Sequence, residues 1–278
     1  MNHSFAFQLE RSDFNRIARL LKDQAGISLH EHKHAMVRSR LSKRLRKLGL
    51  DSFKEYCDLL ADSNTPELQL FINALTTNLT AFFREDHHFR LLKSEIMPNL
   101  LERQRIDTQP VRIWSAGCSS GEEPYSIAIA LAEFFGKTDN WNVEIMASDL
   151  DTQMLDTAEQ GAYHLDRVQG IGEERLRRWF LKGKGANQGM VRVIPELRER
   201  INFFQLNLNE PWPQMGNINL IFCRNVLIYF EPEYRRNIFK QFARLQKRND
   251  YFIIGHSETL NKYSDAYKMI HTTAYRRV

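Results

Sequence analysis

Apolar positions recur every three or four residues through the first quarter of the chain. Phe14, Ile17, Leu20 and Leu21 share one face of a helix over Asp13–Leu21, and Gly26 closes it. A second helix is predicted from Glu31 to Leu48, stopped by Gly49. Asp51 is placed to cap a third, which carries Phe53, Tyr56, Leu59 and Leu60. Pro66 opens a fourth through Leu68, Phe71, Ile72 and Leu75. Residues 1–76 therefore read as an all-helical domain, and residues 77–92 as a linker.

After Pro110 the period changes. Val111–Trp114, Val143–Ala147, Ile218–Phe222 and Tyr251–Ile254 read as strands, with helices predicted near 123–135, 151–159 and 232–245. Strands alternating with helices imply a parallel sheet covered on both faces, an α/β domain over 93–278. Residues 266–278 look like a closing antiparallel pair. The alternation breaks over 173–206, where 178–181, 190–193 and 201–204 are β-rich and separated by glycines. A small inserted antiparallel β-subdomain is the economical reading.

Composition narrows the class without deciding it. The 278 residues are 42% hydrophobic and 26% charged, which excludes disordered and low-complexity chains. Three well-separated cysteines argue against a disulfide framework and for a reducing, cytoplasmic setting. The expectation is a soluble chain with no signal peptide and no membrane insertion. Lys and Arg number 39 against 34 Asp and Glu, an excess of +5 too small to imply nucleic-acid binding. The excess is concentrated between Lys33 and Lys47, which holds seven Lys and Arg and no acid. Arg40, Lys43, Arg44 and Lys47 fill an arc beside the apolar stripe, either a solvated face or a dock for an acidic helix. His30, His32 and His34 alternate and so diverge on a helix, and no metal is expected.

The candidate chemistry lies at strand ends. Ser115–Pro124 follows the first strand and opens a helix, but it lacks both the three-glycine dinucleotide fingerprint and a phosphate loop. Glu122 and Glu123 put negative charge at the helix N-terminus, where a pyrophosphate would otherwise sit. Asp149 ends the second strand, placed to accept hydrogen bonds from a ribose diol or simply to cap the next helix. A nucleoside cofactor with a positive centre and no phosphates is S-adenosylmethionine. The third strand runs into Cys223-Arg224-Asn225-Val226-Leu227-Ile228-Tyr229-Phe230.

Together with Asn78–Glu85, Ser120–Ser126 and Ala147–Asp149, that run resembles the CheR family of chemotaxis-receptor glutamate methyltransferases. The resemblance implies a Rossmann-like class I S-adenosylmethionine-dependent domain behind a helical bundle. It places cofactor contacts on Asn78, Thr80, Arg84, Glu122, Asp149, Asn207, Leu208, Arg224 and Asn225. Glu122 would take the cofactor's amino group, Asp149 the ribose, and Asn207 with Leu208 the adenine, the linker folding over as a lid. The acceptor would be a receptor glutamate, giving a methyl ester and S-adenosylhomocysteine, with Arg84 and Tyr229 as catalytic residues. The implied partners are the receptor's methylation helices, docked on Arg40, Lys43, Arg44 and Lys47. Gly183, Gly185 and Arg192 match members that bind a receptor C-terminal peptide, with Lys182 standing where the best-known members carry arginine; a glycine hairpin with no ligand is the alternative. A monomer is the default. Methylation of another acceptor and a non-catalytic sensor of the cofactor are the competing readings.

Overall fold

The structure is a computed structural model that describes every residue except 1–6, 63, 64, 107, 108, 137, 139 and 140. The chain divides into two compact units. One holds the residues up to Thr77 with Tyr229–Tyr234, the other Asn78–Ile228 with Arg235–Val278.

The first unit is helical: α1 (Arg11–Ala25), α2 (His34–Leu48), α3 (Phe53–Leu59) and α4 (Glu67–Leu75). Gly26 and Gly49 both end their helices in the left-handed conformation, at φ 71° and 68°. The cap of α3 is Ser52, not Asp51. Its side chain accepts the Glu55 N–H while Glu55 Oε2 accepts the Asp51 N–H at 3.1 Å, a reciprocal pair. Phe14, Ile17, Leu21, Val37, Leu41, Leu45, Tyr56 and Phe71 make the buried centre. Arg44 turns inward from the basic arc: Nε and Nη2 donate to the buried Glu67 at 2.8 and 2.6 Å, and Tyr56 donates to the same carboxylate. Arg40 Nη1 donates to the carbonyls of Ala74 and Thr76 at the end of α4. Lys43 and Lys47 stay exposed. The returning segment pairs through Ile27 and Phe230, and Lys22 Nζ donates to Glu231 at 2.9 Å.

The second unit is built on a seven-stranded sheet. In chain order its strands are β1 (Val111–Ala116), β2 (Val143–Asp149), β6 (Ile201–Gln205), β7 (Leu220–Cys223), β8 (Tyr251–Ile254), β9 (Tyr267–His271) and β10 (Ala274–Arg277). Their spatial order is β6-β2-β1-β7-β8-β10-β9. The first five are parallel, and β10 and β9 close the sheet antiparallel. β7 and β8 are buried throughout, as strands covered on both faces must be. The chain goes outward from β1 through β2 to β6, then restarts beyond β1 at β7. That reversal leaves a crevice at the carboxyl ends of β1 and β7, where open α/β sheets hold ligands. Helix α7 (Glu122–Phe135) follows β1 and is buried from Glu122 to Ala132.

The insertion differs from the sequence expectation in membership. Ile201–Phe204 is part of β6, the parallel edge of the main sheet in register with β2. The separate antiparallel sheet has the order β3-β5-β4, formed by β3 (Ala162–His164), β5 (Met190–Val193) and β4 (Phe180–Lys182). Arg178 and Trp179 finish the helix Glu173–Trp179 instead of starting a strand. Among the described residues, no helix is long and apolar enough to cross a membrane.

Candidate active site

The loop after β1 is shaped by three left-handed residues, Gly117, Ser119 and Gly121 at φ 81°, 51° and 94°. A Cβ on Gly117 would stand 2.4 Å from Val226 Cγ2, so the loops after β1 and β7 touch with no room for a side chain. Glu122 and Glu123 then occupy the first turn of α7, where the helix dipole favours negative charge. Both are buried and both are fully partnered. Ser120 Oγ donates to Glu122 Oε2 at 2.7 Å, and Arg167 pairs with Oε1. Ser115 Oγ donates to Glu123 Oε1 at 2.7 Å and Arg224 Nη1 to Oε2 at 2.8 Å.

Asp149 ends β2 and does not cap the next helix; Asp151 does, accepting the N–H groups of Gln153 and Met154. Asp149 is instead braced from behind, taking the Ser119 N–H on Oδ2 at 2.7 Å and the Asp151 N–H on Oδ1 at 2.9 Å. The carboxylate is thus set at the strand end, with lone pairs left for a diol. Burial pushes its pKa up to about 6 against these hydrogen bonds. The native state therefore holds the proton more tightly than the unfolded chain does. This group favours the fold below about pH 4 and loses that contribution as pH rises to about 6, a change of about 3 kcal/mol. Donors from a ribose favour the ionised form, so cofactor affinity is expected to weaken as pH falls through about 6, by up to tenfold per pH unit. Titration calorimetry between about pH 5 and 7 checks this, with Asp149→Asn expected to bind weakly and without the pH slope.

The linker is fastened to this strand-end region. Asn78 Nδ2 donates to Asp151 Oδ2 at 2.8 Å, and Ser119 Oγ donates to the Asn78 carbonyl at 3.1 Å. The Phe83 N–H meets Ser126 Oγ at 2.9 Å, and Phe82 packs edge-on against Tyr163 and Phe180. Thr80 lies half-buried in the same run. Arg84 Nη1 donates to the Leu79 carbonyl at 2.9 Å. Arg224 carries out a different task from a free ligand-binding cation. Its side chain is 2% exposed and bridges Glu123, the Arg84 carbonyl and Glu85, whose Oε2 is 3.5 Å away. It ties the linker to α7, while the adjacent Asn225, at φ 59°, begins the loop after β7.

That loop is held by a residue the motif reading missed. Glu258 accepts the N–H groups of Asn225, Val226, Leu227 and Gly255 at 2.8–3.1 Å. Burial raises its pKa in spite of them. Its place just after a strand end, in Gly255-His256-Ser257-Glu258, is the signal that could have found it. Arg167 and Asp151 were also missed as site residues; Asp151 shows in the sequence only as the start of the 151–159 helix, and no local pattern marks Arg167. On the far side, Asn207 follows β6, accepts the Asn209 N–H at 3.0 Å and donates to Glu210 at 2.8 Å, and Leu208 is buried. Tyr229 ends a short turn and is grouped with the helical unit, its carbonyl accepting the Ser28 N–H at 3.0 Å. In the insertion, Lys182 is the last residue of edge strand β4, Gly183 and Gly185 follow it, and Arg192 Nε donates to the Gln160 carbonyl at 2.8 Å. Cys118 and Cys223 are fully buried with thiol pKa values pushed well up, which makes them inert packing groups.

The charge of this region suits S-adenosylmethionine: acid stands in the first turn of α7 and at the end of β2, where a phosphate cofactor would need cations. The comparisons agree. The CheR methyltransferase SAM-binding domain matches residues 78–276, and the CheR all-alpha domain matches 12–76. Chemotaxis protein methyltransferase 2 of Pseudomonas aeruginosa is 46% identical over 270 residues, 97% of this chain and 94% of that protein. The chemotaxis protein methyltransferase of Salmonella typhimurium is 43% identical, over 96% of this chain and 90% of its own. That of Escherichia coli is 40% identical, over 96% and 91%. Two domain models covering residues 12–76 and 78–276, relatives at 40–46% identity and a strand-end site of the right charge lead to one conclusion: the chain belongs to the CheR methyltransferase family, and its cofactor is S-adenosylmethionine.

Proposed function

We propose that this methyltransferase esterifies glutamate side chains of bacterial chemoreceptors. The observation that carries the reading is the way the site's own acids are tied up. Glu122, Glu123, Asp149 and Glu258 are each engaged by two or more donors, and the two nearby thiols are buried and protonated. An acceptor that arrives already ionised needs none of them as a base, and glutamate, with an ordinary pKa of about 4.3, is such an acceptor at neutral pH. Relatives named chemotaxis protein methyltransferases support the choice of receptor.

Bound S-adenosylmethionine supplies the methyl group and leaves as S-adenosylhomocysteine. Glu122 and Asp149 hold its two polar ends, with Asn207 and Leu208 beside the adenine. Asn78, Thr80 and Arg84 form the lid, which keeps water from the acceptor carboxylate and so strengthens its attack. Arg84 and the Tyr229 hydroxyl orient that carboxylate. A modest grip is the useful one, because a tight clamp would stabilise the ground-state anion. Exposed Lys43 and Lys47, flanked by the inward-turned Arg40 and Arg44, present the basic face of α2 to acidic receptor helices. The open edge of β4 offers a receptor C-terminal peptide a place to add as a strand, which raises the local acceptor concentration.

Acceptor identity is tested with a receptor cytoplasmic fragment and its variant in which the glutamates of the methylation helices are replaced by alanine. Methyl incorporation is expected into the first only. Equal incorporation into both would exclude the glutamate reading.

A further inference from the structure

A cluster just past Arg84 holds two buried polar atoms that have no hydrogen-bond partner. They are Glu85 Oε2 and His88 Nδ1, 3.6 Å apart. His88 is fully buried. The Thr273 hydroxyl lies 2.6 Å from both the Thr272 carbonyl and His88 Nε2, and when its single proton goes to the carbonyl it accepts from the ring. In that tautomer His88 carries its proton on Nε2, and its bare Nδ1 lone pair faces a carboxylate oxygen. Two acceptors opposed in a dry place are unfavourable unless something positive lies between them.

We propose that Glu85, His87 and His88 form a binding site for one divalent first-row transition-metal ion. Among the described residues they are the one group whose imidazole and carboxylate ligand atoms all lie within 4.8 Å of one another. Two ligands bound tetrahedrally to zinc are about 3.4 Å apart by their bond lengths, close to the 3.6 Å between Glu85 and His88. His87 is exposed, packed ring to ring against His88 at 4.1 Å, and can swing in the remaining distance. Two imidazoles and a carboxylate suit zinc, cobalt, nickel or copper, not magnesium or calcium. His256 Nδ1 sits 2.7 Å from Glu85 Oε1, which fixes the carboxylate and leaves Oε2 to the ion.

One group opposes the ion. The Arg224 guanidinium is 3.5 Å from Glu85 Oε2, although it has Glu123 as its own partner at 2.8 Å. Its charge keeps the affinity well below that of a structural zinc centre. Occupancy would draw Glu85 away from Arg224, which also holds the carbonyl of Arg84, so a bound ion should slow methyl transfer.

The test is titration of the full chain with cobalt(II), read by its visible ligand-field bands, followed by displacement with zinc. One equivalent is expected, with bands that disappear on adding zinc or a chelator. His87→Ala removes an exposed ligand without touching the fold and is expected to weaken cobalt binding at least tenfold; His256→Ala should weaken it less. No saturable binding of cobalt or zinc below millimolar concentration would overturn the proposal. So would binding that His87→Ala leaves unchanged, which would place the ion on other histidines.

Discussion

Arg224→Met is expected to destabilise the ligand-free chain by about 3–5 kcal/mol in urea unfolding, because it leaves Glu123 and Glu85 buried without their cation. Methionine keeps most of the side-chain volume, so the loss reports charge and hydrogen bonding, not a cavity. Adding Glu123→Gln to the same chain removes one stranded charge and should restore about 1–3 kcal/mol. The family resemblance alone makes Arg224 a cofactor contact, and on that basis stability without cofactor would hardly change while affinity fell. The arrangement here predicts the reverse order: the fold suffers first, and binding follows because the linker comes loose. Unchanged unfolding in Arg224→Met would remove the bracing role.

Arg84→Ala is expected to lower the turnover rate by about 10²–10³-fold, the usual cost of deleting one positioned donor at the reacting group. Cofactor affinity should fall much less, since the proposed cofactor contacts at the start of α7 (Glu122) and the end of β2 (Asp149) are left intact. The split is expected because Arg84 lies on the linker, bonded to the Leu79 carbonyl and not at a strand end, and the proposal gives it the acceptor carboxylate. Single-turnover rates with saturating cofactor, set beside calorimetric affinities, measure the two effects separately. A variant that loses affinity and rate in equal proportion would make Arg84 a cofactor ligand only.

Much of this was legible before any coordinates. The change from a period of three or four to alternating strands and helices near residue 110 marks the start of the sheet, and four short motifs mark its ligand-bearing ends. Local pattern also located Asp149, though not its meaning; whether it caps a helix or faces a ligand turned on which residue, 149 or 151, meets the N–H groups of α8 (Thr152–Gln160). What was hidden is non-local. Ile201–Phe204 has the same β-rich composition whichever sheet it joins, and only its register with β2 decides. Ala162–His164 is too short to read as a strand until β5 lies beside it. A helical wheel shows Arg44 on the basic arc of α2 but cannot show Glu67 arriving from α4 to claim it. Arg167 and Glu258 belong to the same class, each set by a partner tens of residues distant. Glu85 and His88 are only three apart, but what surrounds them, Arg224, His256 and Thr273, arrives from far along the chain.

The central claim is that the product is a carboxyl methyl ester. It is tested most directly by incubating the protein with methyl-labelled S-adenosylmethionine and a chemoreceptor cytoplasmic fragment that keeps its C-terminal tail, then treating the isolated receptor with mild base. The account predicts that the label leaves as volatile methanol, in smaller amounts with Tyr229→Phe or a tail-deleted receptor. Label that stays on the receptor through base would mean transfer to nitrogen or carbon and would contradict it.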